Sequence, residues 1–298
     1  MRSITTNGDY YKKIFQLFCR KCKKTEVDRA WAEQVFPRLI IDKMQSKILN
    51  KSANTFFSLG IGSGTGEFES SLLRQISMRY KCIHHTVVEP AKSFIQRYQS
   101  LLLTEDGIKD IQFDWKEQTM QTFQKDHEEQ KGGKQPNNFH FISAVHSLYY
   151  ASDMEDTIRF FHGLLDDGGV LMIAVTTDQS SNTKFIKNFP VIIEHNPHIT
   201  VVNSSDVERS LKTLGLPYDV HAQSSSADIS SVFDESSAEG NHILDFLTHT
   251  IDFRSTAPAQ LCDDVISYLK SPECCHLADD GTVQFMNPWK TFVIQNAK

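Results

Sequence analysis

The sequence has no run of 18 apolar residues, so no segment is expected to cross a bilayer as a helix. Met1 to Phe18 lacks the zoned pattern of a secretory leader, which points to a cytoplasmic protein. A basic stripe is missing as well. The chain has 31 Lys and Arg against 37 Asp and Glu, a formal net charge of −6, so nucleic acid is not an expected partner. Mild acidity suits a cationic small molecule better. Metal-ligand spacing is also lacking. Cys19 and Cys22 form a C-x-x-C inside a helical stretch rather than after a strand, and Cys274 and Cys275 are adjacent. No metal site is expected, and the six cysteines read as reduced thiols.

Two phosphate-binding signatures are absent. The dinucleotide fingerprint needs glycines at i, i+2 and i+5. In TFFSLGIGSGTGE (Thr55 to Glu67) the third place falls on Thr65 counted from Gly60, and on Glu67 counted from Gly62. No G-x-x-x-x-G-K-[ST] occurs either. What is present is an apolar strand that breaks into Gly60, Gly62, Gly64 and Gly66 before a helix-forming segment at Glu67. Such a turn lets a ligand lie against bare backbone. A carboxylate at the helix opening would repel a pyrophosphate, so the turn suits a cofactor without phosphates. HTVVEP (His85 to Pro90) is a second apolar strand, and it ends on Glu89. A carboxylate at a strand end, beside the ligand crevice of a parallel sheet, can accept both hydroxyls of a ribose. S-adenosylmethionine satisfies these conditions: ribose, adenine, a sulfonium cation and no phosphate.

Strands and helices alternate along the chain. Helices are expected at Tyr10 to Cys22 and Val27 to Leu49. Strands are expected at Thr55 to Leu59, Ile83 to Val88, Ile111 to Trp115 and Phe139 to Val145, and at Val170 to Val175 after a turn at Asp167-Gly168-Gly169. Helices from about Glu67, Ala91 and Met154 connect them, and Asp126 to Asn138 is a polar loop. The rhythm predicts an α/β fold with a doubly wound, mostly parallel sheet. After Thr176 it changes. Ser180 to Asn203 looks irregular, Ser205 to Leu214 is helical with an N-cap at Ser204 or Ser205, and Ser224 to Ser237 is a serine-rich loop. Two further strands, Tyr218 to Ala222 and Lys290 to Gln295, are expected as an antiparallel pair at the sheet edge. The organisation expected is one unit over 1–298. Its cofactor-binding core spans 45–178 and its edge strands 217–223 and 289–296. Substrate-side elaborations occupy 1–44, 179–216 and 224–288.

FSLGIGSGTGE, VVEP, VHSLYY (Val145 to Tyr150), RFFHGLL (Arg159 to Leu165), LDFLTHTIDF (Leu244 to Phe253), TAP (Thr256 to Pro258) and the closing FMNPWKTFVI occur in that order. Together they resemble the histamine N-methyltransferase family over essentially the whole chain. The resemblance implies a seven-stranded methyltransferase sheet, S-adenosylmethionine as cofactor, a small-molecule amine as substrate and a cytosolic monomer. By position, Gly60 matches the family's cofactor-binding glycine and Glu89 its ribose-binding acid. Phe94 stands where the family has glutamine, Met120 (beside Thr119) where it has serine, and Val145 takes the place of an apolar residue beside the cofactor. On the substrate side Glu26 matches the acid that holds an ammonium group, His146 a glutamine and Asn287 an asparagine. Tyr149 and Tyr150 are retained, and they can attract an amine by cation–π contact. The family's two loop tryptophans have no tryptophan counterpart between Ser180 and Pro190, where Phe185 is the nearest ring.

The implied reaction is direct methyl transfer to a neutral imidazole nitrogen. It requires alignment more than acid–base chemistry. No essential catalytic base is expected, although His146 stands where it could take the departing proton. Plainer readings coexist. Glu26 beside Lys23 and Lys24 reads equally as solvated charge, His146 as a satisfied buried histidine, and Asn287 before Pro288 as a turn residue. Alternative functions are methylation of another small amine, methylation of an imidazole dipeptide such as carnosine, and cofactor binding without catalysis.

Overall fold

Apolar runs bounded by glycine turns become the strands of one sheet. The computed structural model describes residues 1–44, 55–129, 139–194 and 202–297. The end of the expected first long helix pair at 45–49, the 130–138 part of the polar loop and Pro197 lie outside the described residues. The central sheet has seven strands: β1 (Phe56–Ile61), β2 (Ile83–Val88), β3 (Gln112–Lys116), β4 (Phe139–Val145), β5 (Leu165–Thr176), β6 (Asp219–Gln223) and β7 (Trp289–Gln295). Their order is β3-β2-β1-β4-β5-β7-β6. β1 pairs in parallel with both β2 and β4, β2 with β3, and β4 with β5. β4 is buried at every position but its last, as expected for a parallel strand covered on both faces.

Helices α1 (Gly8–Lys21), α2 (Lys24–Gln34), α3 (Glu67–Ser77), α4 (Lys92–Thr104), α5 (Met120–Glu129), α6 (Met154–Gly163), α7 (Ser181–Asn188), α8 (Ser204–Thr213), α9 (Ala238–Leu247) and α10 (Ala259–Lys270) complete the main framework. No helix among the described residues is long and apolar enough to cross a membrane.

The chain divides into two compact units. One comprises Glu26–Val175, Asp206–His221 and Lys290–Lys298; the other comprises Met1–Thr25, Thr176–Ser205 and Ala222–Trp289. This redraws the expected boundaries, because 26–44 and 206–216 go with the sheet. The cause is packing. On the N-terminal side Trp31 lies 5.6 Å from the Phe68 ring, and Phe36 5.4 Å edge-on to Phe141. On α8, Val207 and Leu211 are fully buried in the same core as Leu59, Ile142 and Phe292.

Three local expectations are corrected. Ser180 to Asn203 contains α7 and a short helix, Pro190–Glu194. The polar opening of α7 looks like a loop, but the Ser180 hydroxyl caps the helix by accepting from Thr183 N at 3.1 Å, while Phe185 and Ile186 bury its other face. Phe185 is therefore wholly enclosed in a core with Phe189, Ile243 and Phe253. Next, Asp167-Gly168-Gly169 does not precede β5 but lies within it. Gly168 N donates to Asn296 O at 2.8 Å and Asn296 N to Gly169 O at 2.9 Å, a reciprocal pair that ties β5 to the residue after β7. Finally, α8 begins at Ser204 with Asn203 Oδ1 accepting from Ser205 N at 2.9 Å, so the capping side chain is the asparagine.

The second unit carries small sheets that are too short to show a period of two in sequence. Arg2–Ser3 pairs antiparallel with Thr250–Ile251, and Val283–Met286 pairs antiparallel with both His276–Leu277 and Ser226–Asp228. Asp245 on α9 ties this unit together. Its carboxylate accepts from the Tyr10 hydroxyl at 2.5 Å, Asp252 N at 2.7 Å and Phe253 N at 2.8 Å. Asp252 has φ 52, and its N–H donates to this carboxylate. Replacing Asp245 with Ala removes the acceptor of one buried N–H, that of Phe253, and of the part-buried Asp252 N–H and Tyr10 hydroxyl. The expected cost is roughly 3 kcal/mol, read from the urea midpoint at unchanged slope. A loss below about 1 kcal/mol on the same scale would show that the turn does not depend on Asp245.

Candidate functional site

β1 and β2 end side by side: Gly60 faces Val87, Ile61 faces Val88, and Gly62 N donates to Val88 O at 2.8 Å. The chain leaves β1 for β2 on one side, and β4 pairs on the other. The strand order therefore switches here, and the crevice outside the carboxyl ends is the expected ligand site.

The four glycines of the turn are not equivalent. A Cβ at Gly60 would collide with the Glu69 carboxylate, one at Gly62 with Ser147 Cβ and one at Gly66 with the Tyr98 ring. Protein atoms already fill those places. Gly64 differs: its φ is 57, and a Cβ there would meet nothing within 4 Å. It is the position where bare backbone faces open space.

Gly64 also meets the acid. Its N–H donates to Glu89 Oε2 at 2.9 Å, and Ala91 N–H donates to Glu89 Oε1 at 2.9 Å. Glu89 is only 6% exposed. Burial raises its pKa, the two backbone donors oppose the rise, and the charge of Glu69 adds to it. Each carboxylate oxygen keeps acceptor capacity beyond its one backbone bond. The carboxylate is thus held in one orientation with lone pairs to spare for two hydroxyls.

At the start of α3, Glu67 and Glu69 occupy the first turn, and Thr65 Oγ1 donates to Glu67. The protein's own carboxylates use the electropositive helix end that would otherwise suit a phosphate.

Elsewhere the expected residues are placed as follows. Phe94 sits in the first turn of α4 and is 38% exposed. Thr119 is exposed and caps α5, its Oγ1 accepting from Thr122 N at 3.1 Å, while Met120 is buried in the sheet core. Val145 closes β4 opposite Ala174 and is half-buried. His146 follows with φ 50, and its N–H donates to Ala174 O at 2.8 Å. Its Nδ1 lies 2.9 Å from the Tyr149 hydroxyl, with the two rings stacked at 17°. Tyr149 is half-buried and Tyr150 69% exposed. Glu26 is exposed in the first turn of α2, within the sheet unit. Asn287 belongs to the other unit, where its N–H donates to Ser225 O at 2.7 Å. Its Oδ1 is buried without a hydrogen-bond partner among the described residues. The structure therefore brings together Gly60, Gly64 and Glu89, and separately His146 and Tyr149.

Sequence reading missed Glu69, although a signal existed. Glu69 shares the i, i+3, i+4, i+7 face of α3 with the buried Leu72, Leu73 and Ile76. A carboxylate on an apolar face needs a partner.

Residues 40–220 match the methyltransferase domain family. Histamine N-methyltransferase B of Xenopus laevis is 30% identical over 297 residues, covering 99% of this chain and 98% of that protein. The chain belongs to the histamine N-methyltransferase family. The mouse histamine N-methyltransferase is 28% identical with the same coverage. YcgJ of Bacillus subtilis, a solved structure, aligns with a TM-score of 0.51 at 14% identity over 87% of this chain and 99% of its own, and so shares the fold. As a family member the protein is an S-adenosylmethionine-dependent N-methyltransferase, and S-adenosylmethionine is its cofactor. The residues fit that cofactor: an anchored acid for a ribose, an open glycine beside it and a helix end closed to phosphate. Among the described residues no cluster of three or more His, Cys, Asp or Glu is arranged to hold a metal.

The raised pKa of Glu89 has a defined sign. The folded state holds this proton more tightly than the unfolded chain does. Its contribution to stability is therefore present below the ordinary value of 4.5 and lost as pH rises through the raised one. Without cofactor, wild-type melting temperature should fall relative to Glu89→Gln as pH rises from 4.5 toward neutrality. Parallel melting curves across that range would contradict the raised pKa.

Proposed function

We propose that this methyltransferase transfers the methyl group of S-adenosylmethionine to a ring nitrogen of a small imidazole amine, with histamine as the preferred acceptor. The observation that carries this reading is similarity to histamine N-methyltransferases over 99% of the chain, so that it includes the segments outside the cofactor core. When bound, the cofactor supplies an already activated methyl group, which leaves the protein the tasks of alignment and exclusion of water. Glu89, held by Gly64 and Ala91, accepts the ribose hydroxyls. Phe94, Thr119 and Met120 are assigned to the adenine side, and Val145 to a place beside the cofactor, by their match to the family pattern. On the same basis Glu26 is assigned to the substrate ammonium, and His146 and Asn287 to the ring. Tyr149 and Tyr150 contribute aromatic surface for a cation.

A neutral imidazole nitrogen attacks with its own lone pair, so no residue need deprotonate it first. The proton lost from the other ring nitrogen passes to water or to His146. His146 Nδ1 lies 2.9 Å from the Tyr149 hydroxyl. We assign the enzyme to the cytosol as a monomer acting on small molecules.

A second reading, an acceptor other than histamine such as a different amine or an imidazole dipeptide, draws on Phe185. That ring is wholly buried in its own core and offers no aromatic surface to a substrate.

Two measurements test the proposal. Glu89→Ala should weaken S-adenosylmethionine binding about a hundredfold, since each hydrogen bond to a charged group contributes roughly 1.5–3 kcal/mol. Near-wild-type calorimetric affinity in the folded variant would remove Glu89 from the cofactor site. Glu26→Gln should raise KM for histamine about tenfold and leave cofactor affinity unchanged. An imidazole without an amine should show no such rise. Equal responses of the two acceptors would make Glu26 a surface charge.

A further inference from the structure

The second unit holds a cavity of about 400 Å³ that methyl transfer, as proposed above, does not use. Gln179, Lys184, Cys274, Cys275, His276 and Met286 are among the residues that line it, and all belong to that unit. Three of these side chains carry sulfur. Cys274 is 3% exposed and Cys275 6% exposed, and both are free thiols.

Local structure brings the sulfurs together. Cys274 N and Cys275 N both donate to Ser271 O, at 3.1 and 3.0 Å, in the turn after α10. The chain then enters His276–Leu277, with His276 opposite Gln284 and Leu277 opposite Val283. Carried back two residues, that register leads Cys274 toward Met286. Ser181 Oγ stands between them there: it donates to Cys274 O and accepts from Met286 N at 2.8 Å. In an extended strand two successive side chains would point to opposite faces. The turn instead sets both thiols on one cavity, hydrogen-bonded to each other. That hydrogen bond and burial push the Cys274 thiol up, while the Lys184 charge opposes the rise.

Filling space requires neither paired thiols nor a lysine beside them. A disulfide is a poor outcome for this pair. Neighbouring Cα atoms lie about 3.8 Å apart, short of the roughly 4.4–6.8 Å that a disulfide spans. An ion that bridges the sulfurs lengthens the link and removes that constraint. Adjacent cysteines are also poorly spaced for tetrahedral zinc, but a soft cation that prefers thiolate and thioether sulfur needs fewer ligands. We infer that this cavity binds copper(I), a soft monovalent cation, between the Cys274 and Cys275 thiolates, with the Met286 thioether as third donor. Binding exchanges two S–H bonds for two Cu–S bonds and releases two protons to solvent, with no change of oxidation state. Two thiolates exceed the charge of the ion by one, and the Lys184 ammonium on the same cavity offsets that excess. The site lies wholly within the second unit and does not depend on the identity of the methyl acceptor.

Anaerobic titration of the full chain with copper(I), in competition with a chromophoric cuprous chelator, tests this. Below neutral pH the wild-type affinity should rise about a hundredfold per pH unit, since two protons leave for each ion bound. The double variant Cys274→Ala/Cys275→Ala should lose one equivalent of bound copper. Cys19→Ala/Cys22→Ala, which removes the C-x-x-C, should still bind copper(I) at the cavity. Met286→Leu keeps the volume but not the sulfur and should weaken binding about tenfold. No binding by wild type, wild-type stoichiometry in Cys274→Ala/Cys275→Ala, or no binding by Cys19→Ala/Cys22→Ala overturns the inference. Unchanged affinity in Met286→Leu overturns it as well. Should Cys274→Ala/Cys275→Ala not fold, Met286→Leu decides alone, because leucine at that place leaves both thiols and the turn intact.

Discussion

Two backbone N–H groups, one from the loop after β1 and one from the loop after β2, converge on the Glu89 carboxylate. That convergence couples elements that are distant in sequence. Gly64 can deliver its N–H only from a left-handed backbone, Ala91 only if the chain turns into α4 immediately after the acid, and both only if β1 and β2 are in register. A carboxylate buried to this extent would be costly without such donors. With them it becomes a fixed acceptor whose remaining lone pairs face one way. Much of the cofactor half of the sheet can be understood as what is required to hold that one group.

The parallel core was legible in sequence because its signals are local and redundant. Ile83 to Val88 and Phe139 to Val145 are continuous apolar runs at strand length, and the structure begins and ends both strands at those residues. Glycine spacing excludes the dinucleotide fingerprint and Glu67 argues against phosphate; in the structure Glu67 and Glu69 occupy the first turn of α3. What was not legible depends on non-local contact. Nothing near Trp31 indicates that it meets Phe68, so 26–44 was grouped with the substrate side. Strands of two to four residues, such as Arg2–Ser3, have too few positions to show alternation. Ser180 looks irregular in sequence because a capping serine and a loop serine are alike until the helix behind it buries Phe185.

The four turn glycines show how one motif can hide several causes. Sequence alone assigns all of them to ligand approach. Structure separates them: Gly60 gives room to Glu69, Gly62 to Ser147 and Gly66 to Tyr98, and Gly64 alone faces open space. Three of the four glycines therefore answer internal packing constraints that would demand glycine even in the absence of cofactor. Glu69 went unnoticed for the complementary reason, since a single acid between apolar residues on a helix resembles a solvated one until the face it lies on is counted.

Under the proposed assignment of His146 to the acceptor ring, its backbone has a consequence for how the site can diversify. With φ 50, the residue occupies a conformation that Asn, Asp, His and Gly tolerate and that β-branched side chains do not. Single substitutions to Val, Ile or Thr at this strand end would strain the chain before they could reshape the pocket. Drift toward a new acceptor is thereby channelled into unbranched and polar side chains here, or displaced to neighbouring positions. The local dihedral angle thus acts as a filter on the substrate range that point mutation can reach.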